Sequence, residues 1–290
     1  MSATLDAWQR QGRFIDWRGH RVFVAQAGRG PALLLVHGYP IGSYDWHAVW
    51  DNLATRFTLI APDMLGLGFS DKPAGHAYSL QDHADLHDAL IQRLGLRRLS
   101  VMAHDLGVSV AQELLARQLE DARRPQIDSV VLLNGGLCPE AYQPRVIQRL
   151  LSSPLGPWIG PHIPRAAFDR SVRRLFGPKT AASNDLLDDF WRLVTHNDGL
   201  RVAHAVGRFY VDRLACRDRL VEPLLRRTVP TRLINGAADP NSGRHMAERY
   251  RALVPSADIV SLEQVGHWPQ IEAPQAVLAA AMPFLIGQAA

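Results

Sequence analysis

Lysine is nearly missing from this 290-residue chain: of its 32 basic residues, all but Lys72 and Lys179 are arginine. The arginines are spread along the sequence without a basic stripe interleaved with aromatic residues, so the formal charge of +4 does not describe a nucleic-acid surface. Cysteine is almost as scarce. Cys138 and Cys216 cannot build a disulfide framework, and their spacing has no metal-ligand pattern, which points to free thiols in a reducing compartment and to no metal site. No segment approaches the roughly 20 apolar residues a membrane helix needs, and the opening stretch MSATLDAWQRQGRF carries no apolar run. A cytoplasmic protein with neither membrane nor nucleic-acid partner is expected. Internal repeats and low-complexity tracts are absent as well, which excludes repeat arrays and biased segments.

What is present is one large potential core. Hydrophobic residues make up 47% and charged residues 21% of the chain, enough for a single α/β domain carrying an insertion. RFIDW and RVFVAQA flank Arg18-Gly19-His20 as a hairpin; ALLLVHG, FTLIAPD, RLSVMAHD, IDSVVLLNGG, TRLINGAADP and ADIVSLEQVGH then read as six short buried strands. Helical periodicity fills most intervals, at residues 81–94, 108–118, 243–253 and 274–284. The alternation predicts a mostly parallel, doubly wound sheet with helices on both faces. One interval breaks the rhythm. About ninety residues without a strand pattern follow the sixth strand, proline-rich at first (SSPLGPWIGPHIP) and then helical, and compact domains seldom tolerate so long a structureless loop. The expected division is therefore a core of residues 1–136 and 229–290 with a helical cap at 137–228.

Chemistry concentrates at strand ends. Ala103-His104-Asp105-Leu106-Gly107 has the pattern small, x, nucleophile, x, small of a sharp strand-to-helix elbow, with a carboxylate at the tip. Taken alone, Asp105 could equally be a helix N-cap. The rest of the chain supplies what an aspartate nucleophile needs, in the order nucleophile, acid, histidine: Asp239 follows one strand in INGAADPN, and His267 follows the last in QVGHWPQ. VHGYP, residues 36–40 after an early strand, places the amide of Tyr39 where, with that of Leu106, it can meet an oxyanion. His37, His104 and Trp268, each beside one of these motif residues, are further candidates for substrate contact, with His104 packing beneath the elbow as support. Asp63 is expected to tie down the loop containing Gly66 and Gly68, and GLGFSD lacks the full dinucleotide fingerprint. His83 and His87 have metal-ligand spacing on a helix without a glutamate base between them, and read as a solvated or cap-facing pair.

HGYP, PDMLGLGFSDKP, HDLG, the late aspartate and GHWPQ together resemble the α/β-hydrolase superfamily, in its epoxide hydrolase and haloalkane dehalogenase branch, over nearly the whole chain. Within that branch HGYPIGSYDW, LGLGFSDKP, AQELL and NDG are most similar to the mesoderm-specific transcript group, whose membrane-associated N-terminal segment is not expected to have a counterpart in this sequence. The resemblance implies an α/β-hydrolase fold with a cap, no cofactor, and a triad of Asp105, Asp239 and His267. Halide-releasing members typically place N–H donors, an asparagine and a tryptophan, where this chain has Tyr39 and Leu106. Epoxide hydrolases use cap tyrosines to hydrogen-bond the opening ring oxygen. By position, Tyr210 matches the second such tyrosine, and Tyr142 is the less well placed candidate for its partner.

A carboxylate at the elbow has a chemical rationale independent of that likeness. Aspartate is ionised at neutral pH and attacks without losing a proton. Attack on an ester would give a reactive anhydride, whereas attack on a saturated carbon gives a stable alkyl ester that water must then clear. The expected activity is hydrolysis of a small, largely apolar or weakly anionic substrate, foremost an epoxide to a diol, by a monomer or homodimer. Carbon–halogen or strained-ester and lactone hydrolysis is the alternative within the scaffold, and a catalytically silent binding module the alternative outside it.

Overall fold

The structure, a computed structural model, describes residues 4–288. Eight strands form one sheet: β1 (Gly12–Trp17), β2 (His20–Ala27), β3 (Ala32–Val36), β4 (Thr58–Pro62), β5 (Arg98–Asp105), β6 (Gln126–Gly135), β7 (Thr231–Gly236) and β8 (Asp258–Leu262). Arg18 and Gly19, both at positive φ, close the hairpin between β1 and β2. The spatial order is β1-β2-β4-β3-β5-β6-β7-β8. β2 is antiparallel to both neighbours, and every pairing from β4 to β8 is parallel.

Continuous apolar runs belong in a sheet covered on both faces, and alternate residues of β3 divide accordingly. Leu34 and Val36 join a core beneath the helices Leu80–Arg93 and Leu106–Glu120. Leu33 and Leu35 join the opposite core, which the helices Leu5–Gln11 and Pro274–Gln288 cover. Each such fully buried side chain contributes about 1.5–3 kcal/mol. The helix Leu5–Gln11 has no strong periodic signature because it spans only seven residues. It is held by Trp8, which packs edge-on against Trp50 and donates from Nε1 to Ser43 Oγ.

Between Gly135 and Thr231 the regular elements are all helical. They are short at first, where prolines sit at the opening positions of turns such as Gly156–Ile159, and longer later, as in Asn184–Thr195 and Arg217–Arg226. Among the described residues no helix is long and apolar enough to cross a membrane. Of the two placements expected for His83 and His87, the solvated one fails: both are buried on the inner face of Leu80–Arg93, and among the described residues neither ring nitrogen of His83 has a hydrogen-bond partner. Their i, i+4 spacing on an amphipathic helix puts both on its buried face.

Candidate active site

The elbow is built by close approach. Asp105 ends β5 at φ 48° and ψ −109°, where the ladder to β6 also slips register between His104 and Asp105. Such a conformation in a residue with a Cβ costs about 1–3 kcal/mol and persists only where the surroundings impose it. Here they do: a Cβ on Gly107 would fall 2.2 Å from the Val36 carbonyl oxygen, and one on Gly38 would fall 2.8 Å from the Asp105 Cβ. Although it precedes a helix, Asp105 does not cap it. Its Oδ2 accepts from the Tyr39 N–H at 3.1 Å, and its buried Oδ1 accepts from nothing among the described residues. One carboxylate oxygen is thus anchored and the other left free. The Leu106 N–H opens the following helix, where intrahelical acceptors are lacking.

Asp239 and His267 meet across the same sheet edge. His267 Nδ1 donates to Asp239 Oδ2 at 2.9 Å. That oxygen also accepts from Asn134 Nδ2, the Ser242 hydroxyl and the Ser242 N–H, and Oδ1 accepts from the Asn241 N–H. Burial alone would raise the carboxyl's pKa, but the His267 charge and these donors outweigh it and hold Asp239 far below the usual carboxylate range. Burial works against the imidazolium too, yet Asp239, with smaller help from Asp105 and Asp45, pushes His267 up to about 9.

A cavity of about 600 Å³ connects these groups. Its lining includes Tyr39, Asp105, Tyr142, Asn241, His267 and Trp268, the apolar Leu151, Phe168, Val172, Val194 and Leu200, and the basic Arg145, Arg170 and Arg174. Tyr142 is buried with its hydroxyl oxygen accepting from Gln148 Nε2 at 2.7 Å and Asn241 Nδ2 at 3.1 Å. The Arg145 N–H donates to Gln148 Oε1, which fixes that amide's orientation. With both acceptor positions filled, the phenol's own O–H remains to donate.

Three residues expected to touch substrate, Tyr210, His37 and His104, are placed otherwise, and a fourth, Trp268, lines the cavity as expected. Tyr210 does not line the cavity, because the inward face of its helix, Phe209–Ala215, is taken by Phe209 and Arg213 one turn apart. It stands half-buried with its ring 6.2 Å from that of Tyr142. His37 is sealed below the surface, with Nε2 accepting from the Met64 N–H and Nδ1 donating to the Gly38 carbonyl. His104 is equally enclosed, its nitrogens facing Asp45 Oδ2 and the His267 carbonyl, both at 2.8 Å. Trp268 does reach the cavity wall, but its indole N–H is spent on Asp45 Oδ1.

Asp45 gave no signal in the sequence and proves to be a junction. It accepts from the Gly38 N–H, from His104 and from Trp268, joining the HGYP loop, the elbow and the histidine loop. Glu272 forms a second junction. It accepts from the N–H groups of Gly266 and Trp268 in the histidine loop and from the N–H of Gly177 and the hydroxyl of Thr180 in the helical segment, while the His267 N–H donates to the Leu175 carbonyl. Asp63 accepts from the Phe69 N–H at 2.7 Å and so ties the Gly66 loop.

A twisted, mostly parallel sheet with an elbow after β5, a carboxylate after β7 and a histidine after β8 defines a class of protein. The chain belongs to the α/β-hydrolase fold family, whose sequence pattern matches residues 31–274. Within it, the chain is 37% identical to the human mesoderm-specific transcript homolog protein, over 98% of this chain and 89% of that one. It is 36% identical to LipZ of Mycobacterium tuberculosis, over 98% and 99%. Its fold also matches solved structures. Haloalkane dehalogenase DbeA from Bradyrhizobium elkani superposes with a TM-score of 0.81 at 20% identity, over 95% of this chain and 97% of that one. An α/β-hydrolase fold protein from Burkholderia ambifaria superposes with a TM-score of 0.78 at 23% identity, over 93% and 97%.

Proposed function

We propose that this hydrolase opens epoxides to diols through an alkyl ester on Asp105, beneath a cap formed by residues 137–228. The observation that carries the reading is the pairing of a half-anchored carboxylate with a donor-loaded phenol on one cavity. Asp105 Oδ1 attacks an epoxide carbon, the C–O bond breaks with its electron pair going to the ring oxygen, and Tyr142 supplies the proton. Water then attacks the ester carbonyl. His267 takes its proton, Asp239 stabilises the imidazolium, and the Tyr39 and Leu106 amides hold the oxyanion. The intermediate collapses with the C–O bond to the alkyl group's oxygen breaking, and that alkoxide takes the remaining proton of the attacking water as Asp105 returns to carboxylate. The proton on His267 returns through solvent to the Tyr142 phenolate, so the sum is epoxide plus water giving diol.

Asp239 is the main cause of the raised His267 pKa and the Asp105 charge adds a smaller share; esterification removes only that share, and Asp239 goes on stabilising the imidazolium formed when His267 takes the water's proton. Halide release is less well served. The Trp268 N–H is committed to Asp45 and the Tyr39 hydroxyl donates to the Ala203 carbonyl, so neither is positioned as a donor to a departing ion. No cofactor enters any step.

The test is a panel of styrene-type epoxides, haloalkanes and lactones run with wild type, Tyr142→Phe and Tyr210→Phe. Diol formation is expected, with kcat reduced about 10²–10⁴-fold in Tyr142→Phe and much less in Tyr210→Phe. Halide or hydroxy-acid products alone would move the chemistry to the alternative substrates. No turnover and no protein adduct would leave a binding module.

A further inference from the structure

Arg213 is fully buried, yet among the described residues only one of its five N–H groups is hydrogen-bonded: Nε donates to Ser109 Oγ at 2.8 Å, and neither Nη atom has a hydrogen-bond partner. An uncompensated guanidinium is among the costliest groups a protein interior can hold. Packing alone does not call for it, since a methionine fills a similar elongated space without charge. Room is nevertheless kept for it: a Cβ on Gly136 would fall 1.7 Å from Nη1. The cation lies 5.0 Å from the centroid of the Tyr142 ring and 5.0 Å from that of Phe209, it has no carboxylate ion pair among the described residues, and the charge it feels most beyond Tyr142 is that of Asp105.

We propose that Arg213 is a positioning residue that acts through Tyr142, stabilising the phenolate formed when the phenol protonates the opening epoxide oxygen. The inference rests on the epoxide reading above. During alkylation the negative charge on Asp105 is consumed by the new C–O bond, the ring oxygen gains the electron pair, and the Tyr142 proton moves to it, so a negative charge reappears on the phenol. Arg213 faces a negative neighbour before and after the step, first Asp105 and then Tyr142. Its unpaired N–H groups are the resting cost of an interaction realised fully only as charge develops. Gln148 and Asn241, already donating to the phenol oxygen, stabilise the same phenolate from the other end.

The experiment is a double-mutant cycle on single-turnover epoxide consumption. Arg213→Met is expected to slow alkylation about 10- to 100-fold, the range of a desolvated cation–π contact to a ring becoming anionic, while Arg213→Lys restores most of the rate. In a Tyr142→Phe background, Arg213→Met is expected to add no further loss. The thermal midpoint of Arg213→Met is expected to hold or rise, because an unpaired buried charge has been replaced by an apolar chain. Should the methionine variant fail to fold, Arg213→Gln removes the charge while keeping a donor toward Ser109 and reads the same cycle. A loss that persists in Tyr142→Phe, or a rate unchanged by neutralising Arg213, overturns the role of Arg213 and leaves the epoxide reading intact. Absence of epoxide turnover by wild type overturns both.

Discussion

His267→Gln divides the proposed reaction at its midpoint. Because Asp105 Oδ1 has no hydrogen-bond partner among the described residues and a carboxylate attacks without losing a proton, its attack needs no base, and the variant is expected to consume one equivalent of epoxide at close to the wild-type rate. The hydrolytic half depends on a base held by Asp239 at 2.9 Å. Loss of a general base typically slows a step by 10²–10⁴-fold, or about 3–5 kcal/mol of barrier, so an ester cleared in a second by wild type would persist for minutes to hours. Intact-protein mass spectrometry should show a gain equal to the epoxide. Trypsin should place it on the peptide of residues 99–117, which contains Asp105. In a wild-type single turnover in heavy-oxygen water, label should enter that same peptide, since water attacks the ester carbonyl and the oxygen delivered to product comes from Asp105. Label confined to the diol, with no adduct in His267→Gln, would refute the nucleophile assignment and make Asp105 a base toward water.

Two further outcomes follow from charge. His83 and His87 are held neutral in the fold, foremost by burial, with pKa values lowered to about 3 and about 4, whereas in the unfolded chain they titrate near 6.5. The unfolded state therefore binds more protons below pH 6.5, and the two together should cost about 4 kcal/mol of stability at pH 5 relative to neutral pH. His267 has the opposite sign: its raised pKa gives stability that is present below 6.5 and lost as pH climbs toward 9. Urea midpoints should accordingly peak near pH 6–7, and His83→Leu, which sacrifices no hydrogen bond, should flatten the acid limb; an unchanged acid limb would show that these rings do not govern it. In the cavity lining, Arg145, Arg170 and Arg174 have no carboxylate partner among the described residues. Epoxides bearing a remote carboxylate should show a KM several-fold below that of their methyl esters at low salt, with the gap closing in Arg174→Glu and in high salt; equal KM values for acid and ester would argue against any role for these charges.

The strands, the hairpin turn and the interval without strands were legible because each is written locally, in runs of β-favouring residues and in Arg18-Gly19. The elbow was legible as a pattern of small residues around Asp105, although the same pattern suits an N-cap; only the long-range contact from Tyr39 and the absence of a cap distinguish the two geometries. Tyr142 and Tyr210 could not be ranked from spacing, since which one reaches the cavity depends on the rotation of a seven-residue helix whose inner face Phe209 and Arg213 occupy. Asp45, Asn134, Gln148 and Arg213 left no trace in the sequence. Their partners lie up to 223 residues away, and a single polar residue in an apolar stretch has no period to betray it.

Glu272 gives the molecule an unequal modularity. Helical segments between β6 and β7 invite exchange, as if specificity could be swapped by transplanting residues 137–228 from a relative. One carboxylate, however, binds Gly177 and Thr180 of that segment to Gly266 and Trp268 on either side of His267. A transplant that crosses residues 175–180 would carry away part of the scaffold that aims the imidazole. A graft confined to residues 149–174 leaves that seam whole and keeps Tyr142 and Gln148, so that stretch, with Arg170, is the exchangeable part and the segment's centre is not.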